Sequence, residues 1–130
     1  MLGYDEKEKI KTGIITDGYA SAQRQKLNAL KASCYFDEII VTDELGEKGE
    51  YWKPHPLAFS LMKEKLGVEF DEMCYIGDNP EKDFYISFIY PIKTIKIERN
   101  GVHANKNYLH DIRENYSIHH LNEIFSLIAH

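Results

Sequence analysis

Long hydrophobic runs are missing from this 130-residue chain. None approaches the about 20 apolar residues that a membrane-crossing helix needs, so no segment is expected to span a bilayer. The opening MLGYDEKEKIK lacks the apolar core of a secretory leader, and a cytoplasmic location is expected. Cysteine is scarce: Cys34 and Cys74 show no paired-thiol spacing, which points to free thiols packed as small apolar groups rather than to a disulfide or zinc site. A basic stripe is absent too. The 16 lysines and arginines are scattered among 21 acids, for a net charge of −5, which argues against a nucleic-acid backbone as partner. His55, His103, His110, His119, His120 and His130 have no metal-ligand or triad spacing, and they read as surface or satisfied residues.

What is present fits one globular domain covering residues 1–130, with little room for a second core. A β-branched run from Thr12 to Thr16 stops at the turn signal Asp17-Gly18 and predicts a buried strand. Ala20, Gln23, Leu27 and Leu30 then recur at helical spacing, predicting a surface helix over Ala20–Lys31. Glu38–Thr42 (EIIVT) predicts a second strand. A helix is expected over Pro56–Leu66, with Pro56 in its first turn, Phe59, Met62 and Leu66 on one face, and Gly67 as its stop.

Met73–Ile76 and Ile92–Ile97 predict further strands, and Tyr116–His119 a short last one. Leu121, Ile124, Phe125 and Ile128 trace an amphipathic helical stripe. Strands alternating with helices imply an α/β fold, with a mostly parallel sheet sandwiched between helices. Ligands in such folds bind at the carboxyl ends of the strands.

At those ends stand Thr16-Asp17-Gly18 and the loop Gly77-Asp78-Asn79-Pro80-Glu81-Lys82-Asp83, with Lys53-Pro54 just before the second helix. A hydroxyl, turn amides, one cation and two carboxylates are the parts needed to hold phosphate and a divalent cation. Taken singly each is weak, because such turns are usually structural.

Taken in order, GIITDG, YFDEIIVTDELG, KPHPLAF and MCYIGDNPEKDF resemble the haloacid dehalogenase-like hydrolase superfamily. Thr16, Lys53 and the Asp78/Asp83 pair match its second, third and fourth motifs, and SIHHLNEIFSLI resembles its closing strand and helix. The resemblance implies a three-layer, Rossmann-like sandwich and phosphomonoester hydrolysis with Mg²⁺ through an aspartyl-phosphate. It implies that Thr16, with the Asp17 and Gly18 amides, binds the phosphoryl group and that Lys53 neutralises charge. Asp78 would ligate Mg²⁺, with Asp83 holding the lysine or a metal-bound water. The expected ligand is phosphate or a small phosphorylated metabolite.

The resemblance breaks at the family's first motif, an apolar strand ending in Asp-x-Asp that carries the nucleophile. It should precede Thr12, where MLGYDEKEKIK supplies neither the strand nor the pair. The expectation is therefore a core domain lacking its central strand and any cap domain, not catalytically competent alone. Three arrangements could compensate: direct pairing of the strands ending at Thr16 and Ile76, a strand from a partner chain or homodimer, or a missing half encoded elsewhere. A noncatalytic association module and a truncated relic are the other readings. Two departures accompany the break: an insertion, GEKGEYW, before Lys53, and a bulky run holding Phe84, Tyr85, Phe88 and Tyr90, expected as core and helix surface or as a subunit contact.

Overall fold

The β-branched runs pair in register with each other. In the computed structural model, which describes residues 10–98, 103 and 106–123, strand β1 (Gly13–Thr16) lies parallel to β2 (Glu38–Val41), from Gly13 opposite Glu38 to Thr16 opposite Val41. The chain divides into two compact units. The first comprises Met1–Trp52 and Leu57–Gly67 and holds β1, β2, helix α1 (Ala20–Ala29) and helix α2 (Leu57–Leu66).

Helix α2 forms because Ala58, Phe59, Met62 and Leu66 fall on one face, and all four are buried. A Cβ on Gly13 would meet the Met62 sulfur at 2.6 Å, so the glycine lets this helix lie close to β1. Gly67 ends the helix in a left-handed conformation, φ 68°, and its N–H returns to the Lys63 carbonyl. The predicted face and stop hold, with Pro56 just ahead of the helix rather than inside it. Helix α1 stops two residues before the predicted Lys31, which sits at φ 55°. It buries no residue, and Leu30 is exposed, so α1 is the surface helix expected.

The second unit, Lys53–Pro56 and Val68–His130, holds β3 (Cys74–Gly77), β4 (Lys93–Ile97), β5 (Tyr116–Ile118) and the short helix α3 (Ile86–Ile89). The strands are parallel in the order β3-β4-β5. Phe84, Ile86, Ile92, Ile95 and Ile118 form its core. The one buried hydroxyl on β4, that of Thr94, is satisfied by Asn115, whose side-chain oxygen accepts it at 3.4 Å and whose backbone N–H donates to it at 3.3 Å.

All strand pairs are parallel, as the alternation predicts. Among the described residues the five strands make two sheets rather than one, and β1 does not pair with β3. The bulky run divides: Phe84 is fully buried, Tyr90 stacks on Phe70 at 4.0 Å, and Phe88 is exposed. Of the predicted closing helix, Leu121 belongs to a single 3-10 turn, while Ile124, Phe125 and Ile128 lie outside the described residues. No described helix is long and apolar enough to cross a membrane.

Candidate functional site

The second unit gathers Lys53, Asp78 and Asp83 around one carboxylate. Asp83 lies past the end of β3, and its Oδ2 accepts the backbone N–H groups of Asp78 at 3.1 Å and Asn79 at 2.8 Å. Its Oδ1 faces the Lys53 ammonium at 3.2 Å and accepts the Tyr75 hydroxyl at 3.3 Å. Lys53 also donates a short hydrogen bond to that hydroxyl, closing a triangle. The Lys53 and Asp83 side chains are only 8% and 4% exposed, so their charges are held by each other and by fixed dipoles rather than by water.

Local sequence explains why the carboxylate fits. Tyr75 and Gly77, two apart on a strand, share a face. A Cβ on Gly77 would lie 2.5 Å from Asp83 Oδ2, so only glycine leaves the carboxylate its place. The loop then closes on itself, with Asn79 accepting the Asp83 N–H at its carbonyl and the Glu81 N–H at its side chain.

Asp78 differs from Asp83. Its side chain keeps 30% of its exposure and stands 4.0 Å from His103 Nε2, while His103 Nδ1 is buried with no hydrogen-bond partner. Mg²⁺ prefers hard oxygen ligands and typically keeps several waters beside one or two carboxylates. Asp78 suits such a partial shell. Asp83 is already committed to Lys53, Tyr75 and two amides, and among the described residues no group of three or more His, Cys, Asp or Glu forms a complete cage.

Thr16, Asp17 and Gly18 belong to the first unit. The Thr16 hydroxyl donates to Gln23 Oε1 at 2.8 Å. Gly18 has φ 121°, and the Gln23 amide fills the space where its Cβ would be. Thr42, buried at the end of β2, donates to Asp17 Oδ1 at 2.6 Å. The next residue, Asp43, accepts the Ala20 N–H with Oδ2 at 2.8 Å, capping α1 from a distant segment. Its Oδ1 accepts the Trp52 indole N–H at 3.2 Å.

The sequence reading misses Tyr75, Gln23, Thr42, Asp43 and His103. The alternation on β3 could have signalled Tyr75, because it shares a face with Gly77. Nothing in a linear pattern announces Thr42 and Asp43, whose partners Asp17 and Ala20 are more than twenty residues away. Beside the site, Lys96 pairs in register with Gly77 and reaches the Tyr108 hydroxyl at 3.3 Å. Burial pulls the Lys96 ammonium down, but Tyr108, Glu98 and Glu114 together outweigh it and leave it above its ordinary value. Burial pushes the Tyr108 phenol up, with Glu114 adding to the rise.

Comparison with known proteins supplies the family. A glyceraldehyde 3-phosphate phosphatase of Methanocaldococcus jannaschii is 29% identical over 119 residues, covering 92% of this chain and 49% of that protein. Human N-acylneuraminate-9-phosphatase is 29% identical over 97 residues, covering 74% of this chain and 38% of that protein. The chain thus spans half or less of the length of these relatives. Among solved structures, a HAD phosphatase from Thermococcus onnurineus superimposes with a TM-score of 0.74 at 29% identity, covering 98% of this chain and 54% of the other. A Bacillus subtilis HAD-hydrolase bound to magnesium gives 0.73 at 20% identity, covering 98% and 53%, a likeness of fold alone. The profile of haloacid dehalogenase-like hydrolases matches residues 1–97, three quarters of the sequence, and the chain belongs to that family.

Proposed function

We propose that the chain carries the phosphate- and Mg²⁺-binding half of a phosphomonoester phosphatase, the whole protein acting on a small phosphorylated metabolite. One observation carries this reading: Asp83 fixes Lys53 on one oxygen and the amides of Asp78 and Asn79 on the other, while the Asp78 carboxylate keeps partial access to solvent. Asp78 would hold Mg²⁺, which supplies charge neutralisation at the transferring phosphoryl group. Lys53, oriented by Asp83 and Tyr75, would stabilise the same negative charge. Thr16 would donate its hydroxyl to a phosphoryl oxygen in place of Gln23, with the Asp17 and Gly18 amides beside it.

The 130 residues contain no Asp-x-Asp pair. Hydrolysis therefore requires a nucleophilic aspartate on a strand contributed by another segment or chain, a second copy included, and the isolated chain is expected to bind without turning over. Thermal melts test this reading. Mg²⁺ with beryllofluoride should raise the melting temperature, and Asp78→Ala should abolish the shift, because only native-state binding stabilises. Fusing an apolar strand ending in Asp-x-Asp ahead of Thr12 should then create phosphatase activity that Asp78→Asn removes. A folded fusion with no activity, or a melt indifferent to both ligands, would count against it.

A further inference from the structure

Within the first unit, the turn after β1 already holds a polar side chain. Gln23 shares the helical spacing of Ala20 and Leu27 on α1, and its backbone N–H donates to the Tyr19 carbonyl at 3.0 Å, which fixes its backbone near the start of the helix. Its side chain returns to the end of β1. There Oε1 accepts the Thr16 hydroxyl at 2.8 Å. Nε2 lies 2.5 Å, and Cδ 3.0 Å, from where a Cβ on Gly18 would stand, so the carboxamide fills the hollow that this glycine, at φ 121°, leaves open.

We propose that Gln23 is a built-in stand-in for the phosphoryl group, which phosphate must displace to bind at the turn. The inference rests on the phosphatase reading and deepens it. A hydroxyl has one proton to give. While Gln23 Oε1 takes it, Thr16 has none for a phosphoryl oxygen, and the carboxamide stands against the Gly18 backbone that the anion would approach. Displacement is a small step: Gln23 is half-buried, its amide is joined to the helix by several rotatable bonds, and a hydrogen bond between two neutral groups contributes modestly. Thr42 still donates to Asp17 and Asp43 still accepts the Ala20 N–H, so the turn and the start of α1 keep their shape when the carboxamide leaves. An anionic oxygen is a stronger acceptor than a neutral amide, so phosphate opens the contact and uncharged hydroxyl compounds do not.

The affinity of the full chain for inorganic phosphate, with Mg²⁺ present, is measured for the wild type, Gln23→Ala, Thr16→Val and the double variant. Alanine suits a surface helix, so Gln23→Ala should fold. It should bind phosphate about fivefold more tightly than the wild type, because no neutral hydrogen bond has to be broken first. In the Thr16→Val background the same change should bring no gain, since the hydroxyl under competition is gone. In the wild type, the NMR signals of the Gln23 side-chain amide, assigned by their loss in Gln23→Ala, should move on saturation with phosphate. Equal or weaker binding by Gln23→Ala overturns the proposal, as does a gain that persists beside Thr16→Val or an amide signal that phosphate leaves in place. Phosphate binding by neither the wild type nor Gln23→Ala brings down the phosphatase reading, and this proposal with it. Binding by Gln23→Ala alone supports both.

Discussion

Two carboxylates stand just past strand ends, Asp17 after β1 and Asp83 after β3, and they are restrained by different chemistry. Asp83 meets a cation, a phenol and two backbone amides with its side chain almost wholly buried. Asp17 accepts a neutral hydroxyl from Thr42, the residue that follows β2. The difference lies in what each arrangement can tolerate. A buried ion pair adds little net stability, because desolvation offsets the attraction, but removing one partner strands the other charge. A hydroxyl-to-carboxylate bond is a smaller, separable contribution. The Asp83 cluster is therefore an all-or-nothing assembly that fixes Lys53, and the Asp17 turn is an adjustable one.

The strongest challenge to this contrast is Asp83→Ala, which leaves the Lys53 ammonium buried without its carboxylate and should cost about 3–5 kcal/mol in urea unfolding. Asp83→Leu combined with Lys53→Met should recover most of that loss. A cost under about 1 kcal/mol for the single change would erase the distinction between the two carboxylates. Thr42→Val keeps the shape of the side chain while removing the proton given to Asp17, and should cost about 1.5 kcal/mol by the same measurement. A loss as large as that of Asp83→Ala would make the first unit equally intolerant.

The smallest effect belongs to Arg24 and Glu44, joined at 2.7 Å but each more than a third exposed. Solvent screening leaves about 0.3 kcal/mol for Arg24→Ala. The Arg24 hydrogen bond holds the Glu44 carboxyl below its ordinary value. Its contribution is thus complete above the usual glutamate value of about 4.3 and fades as pH falls below it. Wild type and Arg24→Ala should converge in stability on acidification, and a difference that grew instead would reverse the assigned sign.

Much of this architecture is legible in the sequence wherever a residue type announces its surroundings. Short apolar or β-branched runs locate the five described strands within a residue, and the spacing of Phe59, Met62 and Leu66 marks the buried face of α2. Gly67 ends that helix because only its left-handed backbone demands glycine. Lys31 ends α1 in the same conformation without being glycine, so the helix reads two residues too long. Leu30 is exposed, as the reading of α1 as a surface helix expects, and α1 is anchored through polar contacts such as that of Asp43.

At the candidate site the charged residues are legible and their restraints are not. Lys53, Asp78 and Asp83 declare themselves by type and order, but Tyr75 hides within an apolar strand because its polar tip lies beyond a hydrophobic ring. Phe84 and Phe88, four positions apart in one bulky run, end with opposite burial. Composition alone assigns them the same fate. What separates them is contact with Tyr108, contributed by a distant stretch of chain.

The hydroxyl of Thr42 also makes the alignment of β1 and β2 self-checking. Thr16 stands opposite Val41, and the following residue reaches Asp17 only at that alignment. Sliding one strand by a single residue would turn Thr42 to the opposite side of the sheet. The Asp17 carboxylate would then lose its donor and Asp43 its reach to the start of α1. A misaligned ladder thus cannot assemble the turn, and correct pairing is verified by the same atoms that shape the chain after β1.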